Sequence, residues 1–336
     1  MSNQSRVALR STKGRQLRDV VLEVLHSCRW LDIVQTDGRV AVKPNLSSPS
    51  PQSPHANTSR EMIAAVCELL STRTPHVAVC ESDGMRHPAE AVFEAMGIYE
   101  MARRLGIDVV NLSKDRRVPV PNSLLASWDL PKTLLDADAF VTVPVLKTHA
   151  RTVITGAVKN QWGCLPQHDR ILLHKHLDRL LVDLNRLLRP RLAIMDATIA
   201  MEGRGPTNGD PVSMDLLLGS TDPVALDATA MRLAGFDPYT SKVLVLAAQE
   251  GLGNIDAQHI IIDGDLEAHR RVFRPSEMDW AIRALDLLTR SSFLTHHVLL
   301  NDSIFYPSRT AVNWIRTILR KMRAVRPADA VERGAQ

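Results

Sequence analysis

The sequence predicts an α/β fold with a largely parallel sheet flanked by helices, followed by a C-terminal helical appendix. Short runs rich in Val, Ile and Leu recur over the first 272 residues, and polar loops and stretches with helical spacing lie between them. This alternation is typical of parallel βα units. The 336 residues are 45% hydrophobic, which is enough apolar material for a full core.

Seven apolar runs are predicted as strands. Each run is short and contains β-branched residues, and most of them end in polar residues. Continuous apolar runs of this length are typical of strands that are buried on both faces. The seven strands are predicted at 39–45, 76–82, 108–113, 139–145, 191–197, 213–220 and 259–265.

Helix start and stop signals lie between several of these strands. The helix after the first strand begins at Thr58 or Ser59, because either side chain can cap it. The next helical segment ends at Gly106, and glycine is the usual residue after a helix. A later helix begins with Asp222 as its N-cap and Pro223 in its first turn.

The βα alternation stops at about residue 273. The sequence therefore predicts an α/β domain at 1–272 and a helical appendix at 273–336. In the appendix, the segment 309–326 has apolar residues at helical spacing together with six basic residues and no acidic residue. Such a basic amphipathic tail packs on its own domain, or it contacts an anionic membrane surface or a protein partner.

The net charge of +4 comes from this tail. The six positive charges of the tail exceed the net charge, so the rest of the chain is slightly acidic and a nucleic-acid partner is not expected. No apolar run is long enough to span a membrane, and residues 1–19 lack the apolar core of a secretory signal. We therefore expect a cytoplasmic location.

The four cysteines and the glycine-rich segments exclude several cofactor classes. The cysteines lie far apart, at Cys28, Cys67, Cys80 and Cys164, so they are interpreted as buried or free thiols and no iron–sulfur cluster is expected. The segment 203–209 is rich in glycine but fits neither the phosphate-loop motif nor the dinucleotide motif. An NTPase or an ordinary nicotinamide enzyme is therefore disfavoured.

Polar clusters follow several predicted strands, where the loops of an open α/β sheet form its ligand site. The cationic groups there are Lys43, Lys147, Lys159 and His149. If the segment 152–163 is helical, Thr155 shares a face with Lys159, and Gly156 between them lets a ligand or another backbone come close. Lysines beside a helix N-terminus suit a phosphate or a carboxylate.

Acidic side chains lie at the same strand ends. Asp196 and Glu202 are candidates for moving a proton, and each also has a plain structural alternative as a loop or cap residue. Together with His149 they form a possible divalent-metal site, although no local metal-binding spacing supports one. The sequence leaves the identity of any cofactor unknown.

Several separated blocks resemble the DUF362 family, which is named for its unknown function. The blocks are KPNL (43–46), VPVLKTH (143–149), TGAVKNQWG (155–163), a downstream His174, MDATIAMEGRGPTNGDP (195–211) and STDPVALDATAMRLAGFDP (220–238). The resemblance covers about residues 39 to 265, so it implies a DUF362-like domain within 1–272. It implies that the family's motif residues correspond to Lys43, Asn45, Lys147, His149, Thr155, Lys159, Asn160, Glu202, Asp222 and Asp227. Many members also carry a ferredoxin-like module with clustered cysteines, which this chain lacks.

The leading hypothesis is an enzyme acting on a small anionic substrate that bears a carboxylate or a phosphate. Acid/base chemistry such as isomerisation, epimerisation or cyclisation in a biosynthetic pathway is the expected reaction class. The expected catalytic residues are His149, Lys147, Asp196 and Glu202, and the expected substrate-binding residues are Lys43, Asn45, Thr155, Lys159 and Asn160. Two alternatives stay open, namely a non-catalytic protein that binds or carries a metabolite or cofactor, and a redox component without its iron–sulfur module.

Overall fold

A computed structural model describes most of the chain. The described residues are 4–50, 53–85, 87–120, 129–167, 169–276 and 287–301, with isolated positions at 283, 284, 303, 304, 307, 310 and 315. The chain divides into two compact units, Met1–Met278 and Asp279–Gln336. The basic tail at 309–326 lies outside the described residues except for two positions, and the division at 272 and 273 stays a prediction.

The first unit is built on one large sheet. Its strands are β1 Ser5–Ser11, β2 Val40–Pro44, β3 Val77–Glu81, β4 Asp108–Asn111, β7 Ala139–Val143, β8 Val145–His149, β9 Val153–Thr155, β10 Leu192–Glu202, β11 Asp210–Ser220 and β12 Ile260–Asp263, and a separate hairpin consists of β5 Arg117–Pro119 and β6 Asp129–Pro131. The strand order is β12-β1-β11-β10-β7-β2-β3-β4, and β8 pairs with both β10 and β9. Within the described residues six pairings of this sheet are parallel and three are antiparallel, so the predicted α/β fold with a largely parallel sheet is confirmed.

Helices cover both faces of the sheet. They are α1 Leu17–Ser27, α2 Arg60–Ser71, α3 Ala89–Ala95, α4 Ile98–Leu105, α5 Lys132–Leu135, α6 Ala157–Asn160, α7 Leu177–Leu188, α8 Pro223–Leu233, α9 Lys242–Gln249 and α10 Leu266–His269, with α11 Ser292–Leu294 in the second unit. Side chains alternate across a strand, so Leu192 and Ile194 of β10 pack with α1 and α2 while Ala193 and Met195 pack with α7, α8 and α9. No helix of the described residues is both long enough and apolar enough to cross a membrane.

The predicted helix signals have the predicted geometry. The Ser59 hydroxyl caps α2 by accepting the Met62 N–H, and Asp222 caps α8 by accepting the Val224 and Ala225 N–H groups. Gly106 ends α4 in the left-handed conformation, with φ +68°. Each of these groups satisfies backbone atoms that a helix end leaves unpaired, so the three helix-end predictions are confirmed.

Strand β1 is absent from the sequence prediction, and the antiparallel pairing of β10 with β11 was not predicted. β1 buries only its central residues 7–9, and it pairs with β11 and β12. The connection at 201–210 is also shorter than expected, because β10 continues to Glu202 and β11 begins at Asp210, facing it. The two strands form a long hairpin that ends in the glycine-rich loop 203–209.

The condition that the segment 152–163 is helical is met only in its second part. Residues Val153–Thr155 form the short strand β9, and α6 begins only at Ala157. Thr155 therefore lies opposite Lys147 in the β8–β9 pairing rather than on a helix face with Lys159. Likewise the predicted strand at 139–145 is interrupted at Pro144, so that β8 is a separate strand beside β10.

Candidate anion-binding site

The carboxyl ends of neighbouring strands bring the predicted cationic residues to one edge of the sheet. β2 is parallel to β3 and β7, so Lys43 at the end of β2 lies at the same edge as Glu81 at the end of β3. Lys147 in β8 lies opposite Met201 of β10, which also runs parallel to β7. This is the edge at which open α/β sheets bind ligands.

Lys43 is paired inside the fold. Its Nζ donates a hydrogen bond to Glu81 Oε2 over 2.6 Å and another to the Pro44 carbonyl over 2.8 Å. Glu81 Oε2 also accepts the Leu46 N–H, and the Lys43 and Glu81 side chains are 1% and 4% exposed. A Cβ at Gly163 would lie 2.7 Å from the Lys43 Nζ, so glycine is needed there. The charge of Lys43 is therefore balanced before any ligand binds.

Lys147 is buried but has no carboxylate partner among the described residues. Its Nζ donates to the Ala56 carbonyl over 2.6 Å and to Ser47 Oγ over 3.3 Å. Burial, together with the charge of Lys159 and against the opposing effect of Glu81, lowers the pKa of Lys147 to about 7. A lysine with this pKa changes its protonation state near neutral pH.

Lys159 lies in α6 and is partly buried. Its ammonium makes no hydrogen bond or ion pair with the described residues. Burial, together with the nearby charges of Arg170 and Lys43, lowers the pKa of Lys159 to about 8. Lys159 is therefore the lysine of this edge whose amine is left available for a ligand.

His149 at the end of β8 is held as a neutral imidazole. Its Nδ1 accepts the backbone N–H of Arg151 over 3.1 Å, which leaves the proton on Nε2. Burial is the main cause that holds the pKa of His149 well below its usual value, and the charges of Lys159 and Lys147 add to it. His149 can therefore donate a hydrogen bond from Nε2 at neutral pH, while its Nδ1 is already occupied.

Asn45 and Asn160 fix the position of α6 against the end of β2. The Asn160 Nδ2 donates to the Lys43 carbonyl over 3.0 Å and to Thr142 Oγ1 over 2.9 Å. Asn45 Nδ2 donates to Asn160 Oδ1 over 3.1 Å. These contacts hold the backbone on either side of the lysines, and they occupy most of the amide groups that we expected to bind substrate.

Asp227 positions the start of α6 from the other side. Its carboxylate accepts the N–H groups of Ala157 and Val158, over 2.6 and 2.9 Å. A Cβ at Gly156 would lie only 2.2 Å from Asp227 Oδ1, so this glycine makes room for a carboxylate of the protein. The expectation that Gly156 lets a ligand or another backbone come close is therefore wrong.

The two predicted acidic catalysts are hydrogen-bonded to residues other than the lysines. Asp196 accepts hydrogen bonds from the N–H and hydroxyl of Ser59 and from the N–H and hydroxyl of Thr198, so it ties β10 to the start of α2. Glu202 binds the backbone N–H and the guanidinium of Arg274, over 2.9 and 2.7 Å. These contacts give both carboxylates a structural role, and proton transfer by them stays an untested prediction.

Two further polar residues at this edge were not singled out as site residues. Arg170 is 9% exposed, and its guanidinium donates to Ser82 Oγ over 2.6 Å and to the Leu165 carbonyl. His174 belongs to the resemblance but received no role, and its ring lies 5.0 Å from that of Trp162. Burial lowers the pKa of His174 to about 3. In the sequence, neither residue lies at a motif-like spacing from the lysines, so spacing alone could not identify it as a site residue.

A metal site is not evident in the described part of the chain, where no group of three or more His, Cys, Asp or Glu side chains is arranged to hold an ion. The suggested ligand set of His149, Asp196 and Glu202 is therefore not assembled.

All four cysteines are free and buried, as predicted, and burial raises the pKa of Cys67 to about 12. A cavity of about 630 Å³ lies at the opposite end of β10, and none of the three lysines lines it.

Comparison with known proteins gives a family but no established activity. Residues 40–232 match the family model described as a domain of unknown function, DUF362. The thylakoid-associated protein sll1697 of Synechocystis sp. (strain ATCC 27184 / PCC 6803 / Kazusa) is 31% identical over 235 residues, which are 66% of this chain and 70% of that protein.

Two solved structures are similar at 11% identity. The lactate racemase apoprotein of Thermoanaerobacterium thermosaccharolyticum matches with a TM-score of 0.43 over 70% of this chain and 57% of that one. A Thermotoga maritima protein matches with a TM-score of 0.32 over 69% of this chain and 58% of that one. The family model spans more than half of the 336 residues and includes the lysine edge, and on this evidence the chain belongs to the DUF362 family.

Proposed function

We propose that the chain is an enzyme that binds a small anionic substrate at the lysine edge and moves a proton on it. The observation that carries this proposal is an excess of positive charge. Glu81 is already paired with Lys43, whereas Lys147, Lys159 and Arg170 have no carboxylate partner among the described residues. A bound carboxylate or phosphate would supply the missing negative charge.

The proton-transfer part of the proposal rests on two side chains of β8. Lys147 has a pKa of about 7, so its amine and ammonium forms are present in comparable amounts near neutral pH. This suits a group that takes and returns a proton. His149 presents an N–H that can stabilise negative charge developing on a substrate oxygen. Together they suit isomerisation, epimerisation or cyclisation of a small acid through an enolate.

Anion binding is tested first by calorimetric titration with sulfate, phosphate, lactate and pyruvate. We expect at least one of these anions to bind the wild-type protein, and we expect Lys159→Met to weaken that binding about tenfold or more, since one charged contact is lost. Lys13→Met removes an exposed lysine outside the site and serves as the matched control. Equal affinities for the wild type and Lys159→Met would contradict the proposal.

Catalysis is tested separately by proton exchange. The protein is incubated in D₂O with a panel of 2-hydroxy, 2-amino and 2-oxo acids, and loss of the C–H signals is followed by proton NMR. We expect exchange in one of these acids, and Lys147→Met should abolish it. Anion binding without exchange in any acid would instead favour the non-catalytic binding protein.

A location at a membrane surface is a separate proposal for the basic tail. It is supported by the six basic residues at 309–326 and by the description of the cyanobacterial relative as thylakoid-associated. Deleting residues 309–336 should abolish co-sedimentation with vesicles that contain phosphatidylglycerol. If the shortened chain still sediments with them, the tail is not the contact. If the full-length chain does not sediment with them, a cytoplasmic location without membrane contact stays the expectation.

A further inference from the structure

The three lysines of the site differ in the hydrogen bonds and ion pairs that their amines already make. Lys43 is in a buried ion pair with Glu81, and Lys147 donates to the Ala56 carbonyl at 1% exposure. Lys159 makes no hydrogen bond or ion pair with the described residues, and it is only partly buried. Lys159 is therefore the one of the three whose nitrogen can approach a substrate carbon.

Two buried polar atoms near the lysines have no hydrogen-bond partner among the described residues. They are Thr155 Oγ1 and His174 Nδ1. Thr155 lies opposite Lys147, and His174 is close enough to Lys159 and Arg170 for their charges to lower its pKa. A buried polar atom without a partner is unfavourable, so the two atoms point to a ligand that supplies their hydrogen bonds.

The surroundings of Lys159 favour the neutral amine. Burial and the neighbouring cations Arg170 and Lys43 bring its pKa to about 8. A lysine that is desolvated and lies beside another cation is activated as a nucleophile, because a sizeable fraction of its amine is unprotonated at neutral pH. The same cations attract an acid group, so the amine and the anion would meet in one site.

We propose that Lys159 is a covalent catalyst that forms a Schiff base with a small oxo acid. This inference rests on the proposed function and specifies its substrate class. The Nζ lone pair attacks the carbonyl carbon while Arg170 attracts the carboxylate. The carbonyl oxygen leaves as water with one proton from the amine and one from the Lys147 ammonium, and a protonated carbon–nitrogen double bond replaces the carbon–oxygen one. This double bond acidifies the adjacent C–H bond, whose proton passes to the now neutral Lys147 and leaves an enamine. Return of the proton to carbon restores the protonated imine, and addition of water then releases the oxo acid, the Lys159 amine and a proton that returns to Lys147.

The imine is tested by reduction in the full-length protein. The wild type is incubated with pyruvate, 2-oxobutyrate, oxaloacetate or 2-oxoglutarate, then treated with sodium borohydride, and its intact mass and peptides are measured. We expect a mass gain equal to one oxo acid plus two hydrogens minus one water, located on Lys159. The exposed Lys13 and Lys175 serve as internal controls and should remain unlabelled.

The variant Lys159→Arg keeps the positive charge but cannot form an imine. We expect it to bind sulfate within about threefold of the wild type and to gain no mass. Absence of any adduct on the wild type, or equal labelling of Lys13 and Lys159, overturns the Schiff-base inference even if the variant fails to fold. Sulfate binding by the wild type in the absence of an adduct would leave the proposed function standing, so the two failures are distinguishable.

Discussion

Glu81 balances a charge that is almost completely removed from water. Replacing it by glutamine keeps an acceptor for the Leu46 N–H but leaves the ammonium of Lys43 without a counter-charge. Breaking a buried ion pair in this way costs about 3–5 kcal/mol. We expect Glu81→Gln to lower the free energy of unfolding by that amount in urea denaturation.

A matched control for this variant is the exposed ion pair of Arg18 with Glu68. Its side chains are 46% and 48% exposed, so water screens the interaction, and Glu68→Gln should cost about 0–1 kcal/mol. Equal losses of stability in the two variants would mean that burial does not govern the Lys43–Glu81 pair.

The affinity of the site for an anion should depend on pH through Lys147 and Lys159. Both lysines have a lowered pKa, of about 7 and about 8, so each loses its charge as pH rises through that value. An anion prefers the protonated form, and affinity should therefore be highest below about pH 7 and fall above it, by up to about tenfold per pH unit for each proton lost.

The variant Lys159→Arg separates the two lysines in this titration, because arginine keeps its charge over the whole range. Its affinity for sulfate should still fall as Lys147 deprotonates, but less steeply above pH 8 than that of the wild type. Calorimetry at a series of pH values measures both profiles. Parallel profiles would exclude Lys159 as the group that titrates.

At the scale of elements, α6 is the part of the site whose position is most tightly specified. Asp227 accepts its first N–H groups, and Asn160 fastens its last turn to β2. We expect Gly156→Ala to lower the free energy of unfolding by about 1–3 kcal/mol and to weaken sulfate binding, because the added Cβ would overlap Asp227 and shift Lys159.

Gly38→Ala is the comparison for this variant. An added Cβ there would meet its nearest atom, the Gln35 carbonyl, at 3.2 Å, which a small shift relieves. We expect it to affect stability slightly and sulfate binding not at all. If Gly156→Ala binds sulfate as the wild type does, the placement of α6 does not control the site.

The strands show how much of the fold could be predicted from the sequence. All seven predicted strands are present, and the central ones, such as β2 and β7, are buried runs of the kind that parallel sheets require. Strand β1 could not be found by this signal, since only three of its residues are buried and its partners, β11 and β12, are more than 200 residues away.

The site could be predicted only to the level of residue types. The position of the lysines at strand ends follows from the alternation of strands and loops, and the structure confirms that Lys43 and Lys147 reach one edge. The differences between the two lysines do not follow from this alternation. They depend on hydrogen-bond partners that are remote in sequence, namely Glu81 for Lys43 and Ala56 for Lys147. Burial and pairing, which distinguish these lysines, become visible only once the chain is folded.

For the whole molecule, the complete sheet and the lysine edge both lie in the first unit, Met1–Met278. Because a unit with its own core is expected to fold alone, we predict that a chain shortened to residues 1–278 keeps the circular dichroism of a mixed α/β protein and a cooperative unfolding transition. Its affinity for sulfate should lie within about twofold of the full-length value in calorimetry. An unfolded fragment, or a folded one without anion binding, would mean that residues 279–336 are needed for the site, and the lysine edge would then be incomplete as described.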